Sequence, residues 1–393
     1  MQWSVIEHFR EQHREWLVNG SFTPVSTMVR WMTYGKGIRS KEGGMPKVLW
    51  EASRETFRFL GQRIHVRDFQ QMAQRGLQDT EALLDELMFG PWAEVQSRID
   101  LMRIQDSLVH EGNGASFATD ERNAWLDPGY RFLLRRCQGQ LCTRGGGTWH
   151  MQPVLAHLRT LKRLDRQLAR DAHIWAGQPG RGKEVMTMKH CDTQQALRNA
   201  FVFAGQVLFI TDRDKNRAIR GFRRKVARFL PERLGRMVVA WISWLIPFAR
   251  FLRRKLKIAG WSMDTDAYMW KGGSASRSDA AWTTEVLTDE LNRLTAEHLG
   301  WKLGTADYRH VAILLGREIK GVVIRRMAVE MGEGGDDEKG GEEGGQGERW
   351  DYVWDLQSTH GRTIAMGHYA VDARFPYQLQ PEMMMNFCEI SRL

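Results

Sequence analysis

The chain has 393 residues, which is long enough for two domains with separate hydrophobic cores. Its 57 Lys and Arg exceed its 47 Asp and Glu, and the resulting net charge of +10 favours a polyanionic partner. Four cysteines are too few for a disulfide framework at this length, so they indicate a reducing compartment and exclude the disulfide-rich secreted class. The first residues, from Met1 to Glu7, lack the apolar core of a signal peptide.

The N-terminal third predicts a lead segment followed by a helical domain. Residues 1–45 are aromatic and basic and end in glycine-rich stretches, which indicates a lead segment and linker. The segments VLWEASRETFRFL, FQQMAQRGL and TEALLDELMF carry apolar residues at helical spacing, and Thr80 is the expected N-cap of the third helix. We therefore predict an all-α domain over 46–137. A polar, glycine-rich stretch over 138–149 predicts the domain boundary.

Beyond that boundary the pattern predicts a helix, a turn, a small sheet and further helices. A long helix is expected from Met151 to Trp175, and it leads into a turn at Gly177–Gly180. Ala200–Thr211 alternates around a glycine and predicts a pair of strands. Lys225–Leu230 predicts a third strand, and a helix is expected to start at Pro231. The predicted fold class is α+β and mainly helical, with a small β-hairpin or sheet.

One apolar segment, Met237–Leu252, belongs either to a core or to a membrane. Its uninterrupted part is about ten residues, whereas a bilayer span requires about twenty. We also expect Pro247 to break the helix. We interpret the segment as a buried helix beside a basic surface, with a membrane anchor as the alternative.

The charge is unevenly distributed along the chain. Residues 201–257 contain 15 Lys and Arg against 3 Asp and Glu, a balance that suits contact with a nucleic-acid backbone. Residues 330–348 contain eight acidic residues and eight glycines, a composition that predicts a disordered insert over 330–349. The residues that we expect to contact DNA are Arg213, Arg217, Arg220, Arg223, Arg224 and Lys225.

Five residues in short sequence boxes supply the chemistry of phosphoryl transfer. A phosphodiester is cut without a metal when a hydroxyl attacks it, fixed cations hold its oxygens and an acid protonates the leaving alcohol. A tyrosine provides the hydroxyl, two arginines the clamp and a lysine the acid. The five residues are Arg181 in GRGKE, Lys215 in DKN, Arg309 in DYRH, and the pair His360 and Tyr369.

Each of these residues also has a structural explanation. An arginine or lysine in a turn is commonly solvated, and Arg309 can cap its own helix against Asp307 as well as bind a phosphate. Glu184 is expected to pair with Arg181 across one helical turn. No metal is expected, because the spacing of Cys137, Cys142 and His150 matches no common zinc finger.

The order of these boxes resembles the catalytic domain of tyrosine recombinases, the phage-integrase class, over residues 151–393. GQPGRGKEVMTMKH is similar to the box of the first catalytic arginine, and VLFITDRDKNRAIRG to the hairpin with the catalytic lysine. ADYRHVAILLGREI resembles the box of the second arginine, and STHGRTIAMGHYAVD that of the final histidine and tyrosine. The likeness is strongest to divergent fungal versions in Crypton-type mobile elements and beside telomere-linked helicases.

The resemblance implies a site-specific recombinase or integrase that acts on double-stranded DNA in the nucleus without a cofactor. It implies that Tyr369 is the nucleophile, that Arg181, Arg309 and His360 hold the phosphate, and that Lys215 protonates the leaving group. Residues 46–137 would then be the core-binding-like domain, and the protein would act as a homo-oligomer on DNA. The C-terminal segment MMMNFCEISRL is a candidate for docking on a neighbouring copy.

This chain departs from the family pattern at several positions. The family's histidine three residues before the second arginine is Ala306 here, so His310 or His368 would have to take its place. A rival register places the nucleophile at Tyr377, which Pro376 makes less suitable for presentation on a helix. Three other functions stay open: an inactive recombinase fold that binds DNA beside a helicase, a membrane-associated or structural protein, and a type IB topoisomerase.

Overall fold

The computed structural model describes residues 48–90, 92–213, 224–257, 267–271 and 281–316, together with His8, Met384, Cys388 and Ser391. This part of the chain is mixed α+β, with two small three-stranded antiparallel sheets among the helices. The chain forms two compact units, residues 1–63 and residues 64–393. The finer division into domains over 46–137 and 151–393 stays a prediction.

The helices and 3₁₀ turns named here belong to the second unit. In chain order the helices are α1 (Val66–Leu87), α2 (Trp92–Val95), α3 (Asp127–Arg136), α4 (Met151–Trp175), α5 (Gly182–Met186), α6 (Glu232–Ala240), α7 (Ile246–Lys255), α8 (Thr284–Leu299) and α9 (described over 305–316). The 3₁₀ turns are Gln96–Arg98 and Glu121–Leu126. The long helix predicted at Met151 is confirmed as α4.

A sheet replaces the first predicted helix, so the expectation of an all-α stretch from residue 46 is wrong. Phe57 and Phe59 are buried whereas Arg58 between them is exposed, and this alternation has the period of a strand. Leu60 and Gly61 follow with φ of 47° and 86°, the conformation of a tight hairpin turn. The strands are so short that their apolar residues also fall three and four positions apart, which is the spacing expected for a helix. The strands are β1 (Val48–Trp50), β2 (Thr56–Phe59) and β3 (Gln62–His65).

α1 is one continuous helix where the sequence pattern predicts two. Thr80 lies in its interior with no exposed surface, so its prediction as an N-cap is wrong. The Thr80 hydroxyl donates to the Asp171 carboxylate of α4, and Arg170 donates to the Gly76 carbonyl at 2.7 Å. A threonine is tolerated inside α1 because these buried contacts with α4 satisfy its polar group.

The second sheet has the strands that the sequence predicts: β4 (Ala200–Phe203), β5 (Gln206–Arg213) and β6 (Arg224–Phe229). β5 is the central strand, with Ala200 of β4 opposite Phe209 and Ala227 of β6 opposite Ile210. Two residues of the C-terminal segment, Met384 and Cys388, are buried in the core of this same sheet. The described part of that segment therefore packs on its own chain.

A single helix from Glu232 to Lys255 is long and apolar enough to cross a membrane by length and composition. It comprises α6, a π-helical stretch (Trp241–Leu245) and α7, so Pro247 does not interrupt it and the expected break is wrong. The π-helical stretch directly before Pro247 already departs from the i→i−4 ladder, which accommodates a residue without an N–H. The most apolar window of this helix is 72% buried inside the protein, as expected for a core helix.

Candidate anion-binding site

Arg181 lies at the N-terminus of α5, directly after the turn that follows α4. Its backbone N–H donates to Glu184 Oε2 at 3.3 Å, and its guanidinium lies 3.7 Å from Glu184 Oε1. The expected ion pair is therefore present. A Cβ on Gly182 would lie 2.2 Å from Thr284 Cγ2, so only glycine allows this close approach of α5 to the start of α8. The Arg181 side chain keeps 29% of its surface exposed, which leaves it accessible to a ligand.

Arg309 lies on α9 and comes close to the same pair. Burial lowers the pKa of Arg309, the positive charge of Arg181 lowers it further, and the Glu184 carboxylate opposes the shift. The preceding residue, Tyr308, is 3% exposed, and its ring stacks 6.0 Å from that of Phe69 on α1. The two arginines that the sequence boxes select therefore act on each other electrostatically in the structure.

A third arginine, Arg228 of β6, interacts electrostatically with Glu184 and Arg309. Its Nε donates to the Gln178 carbonyl at 2.9 Å, and its Nη1 donates to Thr211 Oγ1 at 2.7 Å. Burial lowers the pKa of Arg228 to about 10, with Glu184 opposing the shift and Arg309 adding to it. Arg228 therefore holds the turn that carries Arg181 and adds its own charge to the site.

His173, near the end of α4, completes the buried side of the cluster. It is 3% exposed, and its ring lies 5.5 Å from that of Tyr308. Neither ring nitrogen has a hydrogen-bond partner among the residues that the structure describes. Burial lowers the pKa of His173 to about 3, and the charges of Arg228 and Arg309 contribute. The ring is therefore neutral at physiological pH, since a further positive charge is disfavoured here.

Within the described part of the chain, the cluster gathers more positive than negative charge, an arrangement that suits an anion. Arg181, Arg228 and Arg309 carry three positive charges, and Glu184 supplies one negative charge against them. Guanidinium groups form bidentate hydrogen bonds with phosphate or carboxylate oxygens. A tetrahedral oxyanion at the exposed edge would reduce the repulsion between the arginines.

The remaining predicted catalytic residues, Lys215, His360 and Tyr369, lie outside the described residues, as does the supporting His368. Residue 215 falls in the connection between β5 and β6, where the resemblance requires a hairpin lysine. His310 is exposed beside Arg309.

Of the predicted DNA-binding residues, the backbones of Arg213 and Arg224 pair across β5 and β6, and Lys225 is half-buried. Arg217, Arg220 and Arg223 lie outside the described residues.

Sequence reasoning missed Arg228 and His173. Arg228 interrupts the apolar run of β6, and His173 lies in the C-terminal part of α4, where residues 167–173 are all buried. A charged or polar side chain at a core position is costly unless a partner or a function retains it. Neither signal identifies the partner, which comes from a distant part of the chain.

In the described part of the chain, no group of three or more His, Cys, Asp or Glu side chains could hold a metal ion. Cys137 and Cys142 are buried free thiols, and burial together with the neighbouring Cys142 raises the pKa of Cys137 to about 12. No protein-family model, curated protein or solved structure matches this chain.

Proposed function

We propose that this protein cleaves and rejoins DNA strands through a 3′-phosphotyrosyl intermediate. The observation that supports the proposal is that Arg181 and Arg309, which come from boxes far apart in the sequence, interact electrostatically with each other and with Glu184. The sequence resemblance assigns these same two arginines to the scissile phosphate. Under this proposal the partner is double-stranded DNA, the protein acts as a homo-oligomer, and it serves a Crypton-type mobile element in the nucleus.

The arginine cluster supplies electrostatic stabilisation in this mechanism. Arg181 and Arg309 donate to the non-bridging oxygens, where negative charge increases as the pentavalent transition state forms. Glu184 fixes the orientation of Arg181 through their ion pair. Arg228 is buried and stabilises the turn through its hydrogen bond to the Gln178 carbonyl, so it does not need to touch the substrate. Donors that are fixed before the reaction require no reorganisation during it, which is the source of the rate enhancement.

The covalent step uses residues that the resemblance assigns. The Tyr369 oxygen attacks the phosphorus, a P–O bond to tyrosine forms, and the bond to the 5′-oxygen breaks. Lys215 donates its proton to that leaving oxygen, and His360 donates a hydrogen bond to a non-bridging oxygen. Rejoining reverses the step with the 5′-hydroxyl of another strand. The phosphotyrosyl bond conserves the energy of the broken ester, so the reaction needs no nucleotide or metal.

The proton of the attacking tyrosine needs an acceptor, because Ala306 replaces the family's histidine. Ala306 lies one helical turn before Arg309 and is exposed. His310 is the candidate among the described residues, since it is exposed on the same helix next to Arg309. His368 is the other candidate. Loss of this proton path would leave a DNA-binding module without chemistry, which is the second candidate function.

Covalent capture tests the proposal. Nicked suicide duplexes that tile the DNA flanking the coding sequence are incubated with the protein and separated on a denaturing gel. Wild type should give a protein–DNA adduct, Tyr369→Phe should give none, and the matched control Tyr377→Phe should behave as wild type. Arg181→Lys and Arg309→Lys should slow adduct formation by roughly 100-fold, because lysine loses the bidentate fork.

Other outcomes would redirect the proposal. An adduct that persists in Tyr369→Phe and disappears in Tyr377→Phe would move the nucleophile to the rival register. Native DNA binding without an adduct on any duplex would favour the inactive binding module. Relaxation of supercoiled DNA without joining of two duplexes would favour a topoisomerase.

A further inference from the structure

A second concentration of positive charge lies on the surface formed by α3, the loop after it and the end of α7. Seven exposed cations belong to it, and we call it the α3–α7 basic face: Arg131, Arg135, Arg136, Arg144, Arg254, Lys255 and Lys257. With the exception of the residues at its α7 end, these cations lie outside the basic block of residues 201–257. The arginine site uses none of them.

These cations belong to one continuous surface. Burial raises the pKa of Tyr130 on α3, and the charge of Arg254 on α7 opposes the shift, so the two helices adjoin at this point. The loop is held to α7 through Trp149, whose ring lies 5.3 Å from that of Phe251 in an edge contact. Gly129 lets α3 pack closely on the long helix, because a Cβ there would lie 2.0 Å from the Trp244 ring.

Among the described residues, no carboxylate forms an ion pair with a cation of this face. Residues 128–164 and 233–263 contain no Asp or Glu. None of the seven cations makes an ion pair with another residue that the structure describes. Elsewhere on the described surface exposed arginines do find carboxylates, as Arg58 and Arg63 do with Glu51 and Arg293 does with Glu290.

The negative ends of the helix dipoles offset only a small part of the positive charge of this face. The C-terminus of a helix carries a partial charge of about −0.5, so the ends of α3 and α7 together offset roughly one of the seven cations. Two of the others are supported by aromatic rings: Arg136 lies 5.3 Å from the centre of the Phe132 ring, and Lys255 lies 5.5 Å from that of Phe251. The face is therefore partly ordered before any ligand arrives.

We propose that the α3–α7 basic face binds the sugar–phosphate backbone of duplex DNA outside the arginine site. Duplex DNA presents one negative charge per about 1.7 Å of its axis, which matches an extended row of cations better than a single anion does. A lipid surface fits less well, because Met151 is the only large apolar side chain near this face that is markedly exposed among the described residues. The proposal rests on the proposed function only in naming DNA as the polyanion.

The test compares two variants that lose the same charge. The face variant is Arg135→Gln/Arg136→Gln/Arg254→Gln/Lys255→Gln. The control is Arg58→Gln/Arg63→Gln/Arg122→Gln/Arg293→Gln, whose four arginines are similarly exposed and pair with carboxylates. Binding to a 30-base-pair duplex of arbitrary sequence is measured by fluorescence anisotropy over a range of salt, after thermal melts have shown that both variants fold.

The slope of log affinity against log salt decides the outcome. Each lost phosphate contact reduces the slope by about 0.9, so the face variant should lose roughly 2–4 units and bind at least about tenfold more weakly. In the control variant, the slope of log affinity against log salt should change by less than about one unit. Equal effects in the two variants would overturn the proposal. So would loss of binding to phosphatidylserine vesicles in the face variant with an unchanged DNA slope.

The two proposals fail independently. If wild type forms no covalent adduct but the face variant reduces the salt dependence of DNA affinity, the proposed cleavage is wrong and the proposed DNA-binding face is supported. If wild type forms the adduct and the face variant leaves the salt dependence unchanged, cleavage is supported and the DNA-binding face is wrong.

Discussion

Acid should destabilise this protein through a histidine that lies away from the arginine site. His157 of α4 is 9% exposed, with its ring 5.4 Å from that of Phe89 and 5.5 Å from that of Phe248. Burial lowers its pKa from 6.5 to about 4. Between these two values the unfolded chain binds a proton that the folded chain does not, so stability falls as the pH falls through that window. From these two pKa values, the free energy of unfolding should decrease by about 2 kcal/mol between pH 7 and pH 5.

The substitution His157→Phe keeps a ring between the two phenylalanines and removes the titration. Urea unfolding of wild type and variant at pH 7 and pH 5 measures the effect. The stability difference between the two proteins should shift by about 2 kcal/mol in favour of the variant at the lower pH. Burial raises the pKa of Asp165 to about 7, which acts in the opposite direction, but it is common to both proteins and cancels in the difference.

His150→Gln provides the control for the removal of an imidazole, because His150 is exposed whereas His157 is buried. The reasoning would be refuted if the difference in free energy of unfolding between His157→Phe and wild type were the same at pH 7 and pH 5. It would mean that the buried ring accepts a proton as readily as the unfolded chain does.

Two further predictions concern packing and the support of the site. Gly129→Ala should destabilise the fold by about 2–3 kcal/mol or more, because the Trp244 ring occupies the space of the new methyl group. The control Gly147→Ala has room for the methyl group and should cost less than about 1 kcal/mol. Thermal melts compare the two variants, and equal melting temperatures would contradict the close contact between Gly129 and Trp244. Arg228→Lys keeps the charge but cannot keep both hydrogen bonds, so it should cost about 2 kcal/mol of stability. It should also slow formation of the covalent adduct more than it weakens DNA binding. A variant with the wild-type rate of adduct formation and wild-type stability would contradict a positioning role for Arg228.

Local pattern was sufficient where an element is long or bounded by turn residues. The twenty-five residues of α4 repeat at helical spacing, and the strands after Ala200 alternate around a glycine turn, so both were predictable. Pattern failed at β1 and β2, which are only three and four residues long. It also failed at Thr80, because a threonine favours a helix start unless tertiary contacts satisfy its hydroxyl inside the helix.

The sequence by itself determined the mixed α+β class, the long helix α4 and the strands β4, β5 and β6. These follow from composition and periodicity, which are local properties of the chain, whereas the roles of Arg181 and Arg309 stay predictions that the resemblance implies. Only the tertiary structure decided that Arg181, Arg228 and Arg309 interact electrostatically around Glu184 and that burial keeps His173 neutral near Arg228 and Arg309. It also decided that neither Arg135 nor Arg254 pairs with a carboxylate of the described residues. Burial and the distance between charges depend on segments that are remote in sequence, and no local pattern encodes them.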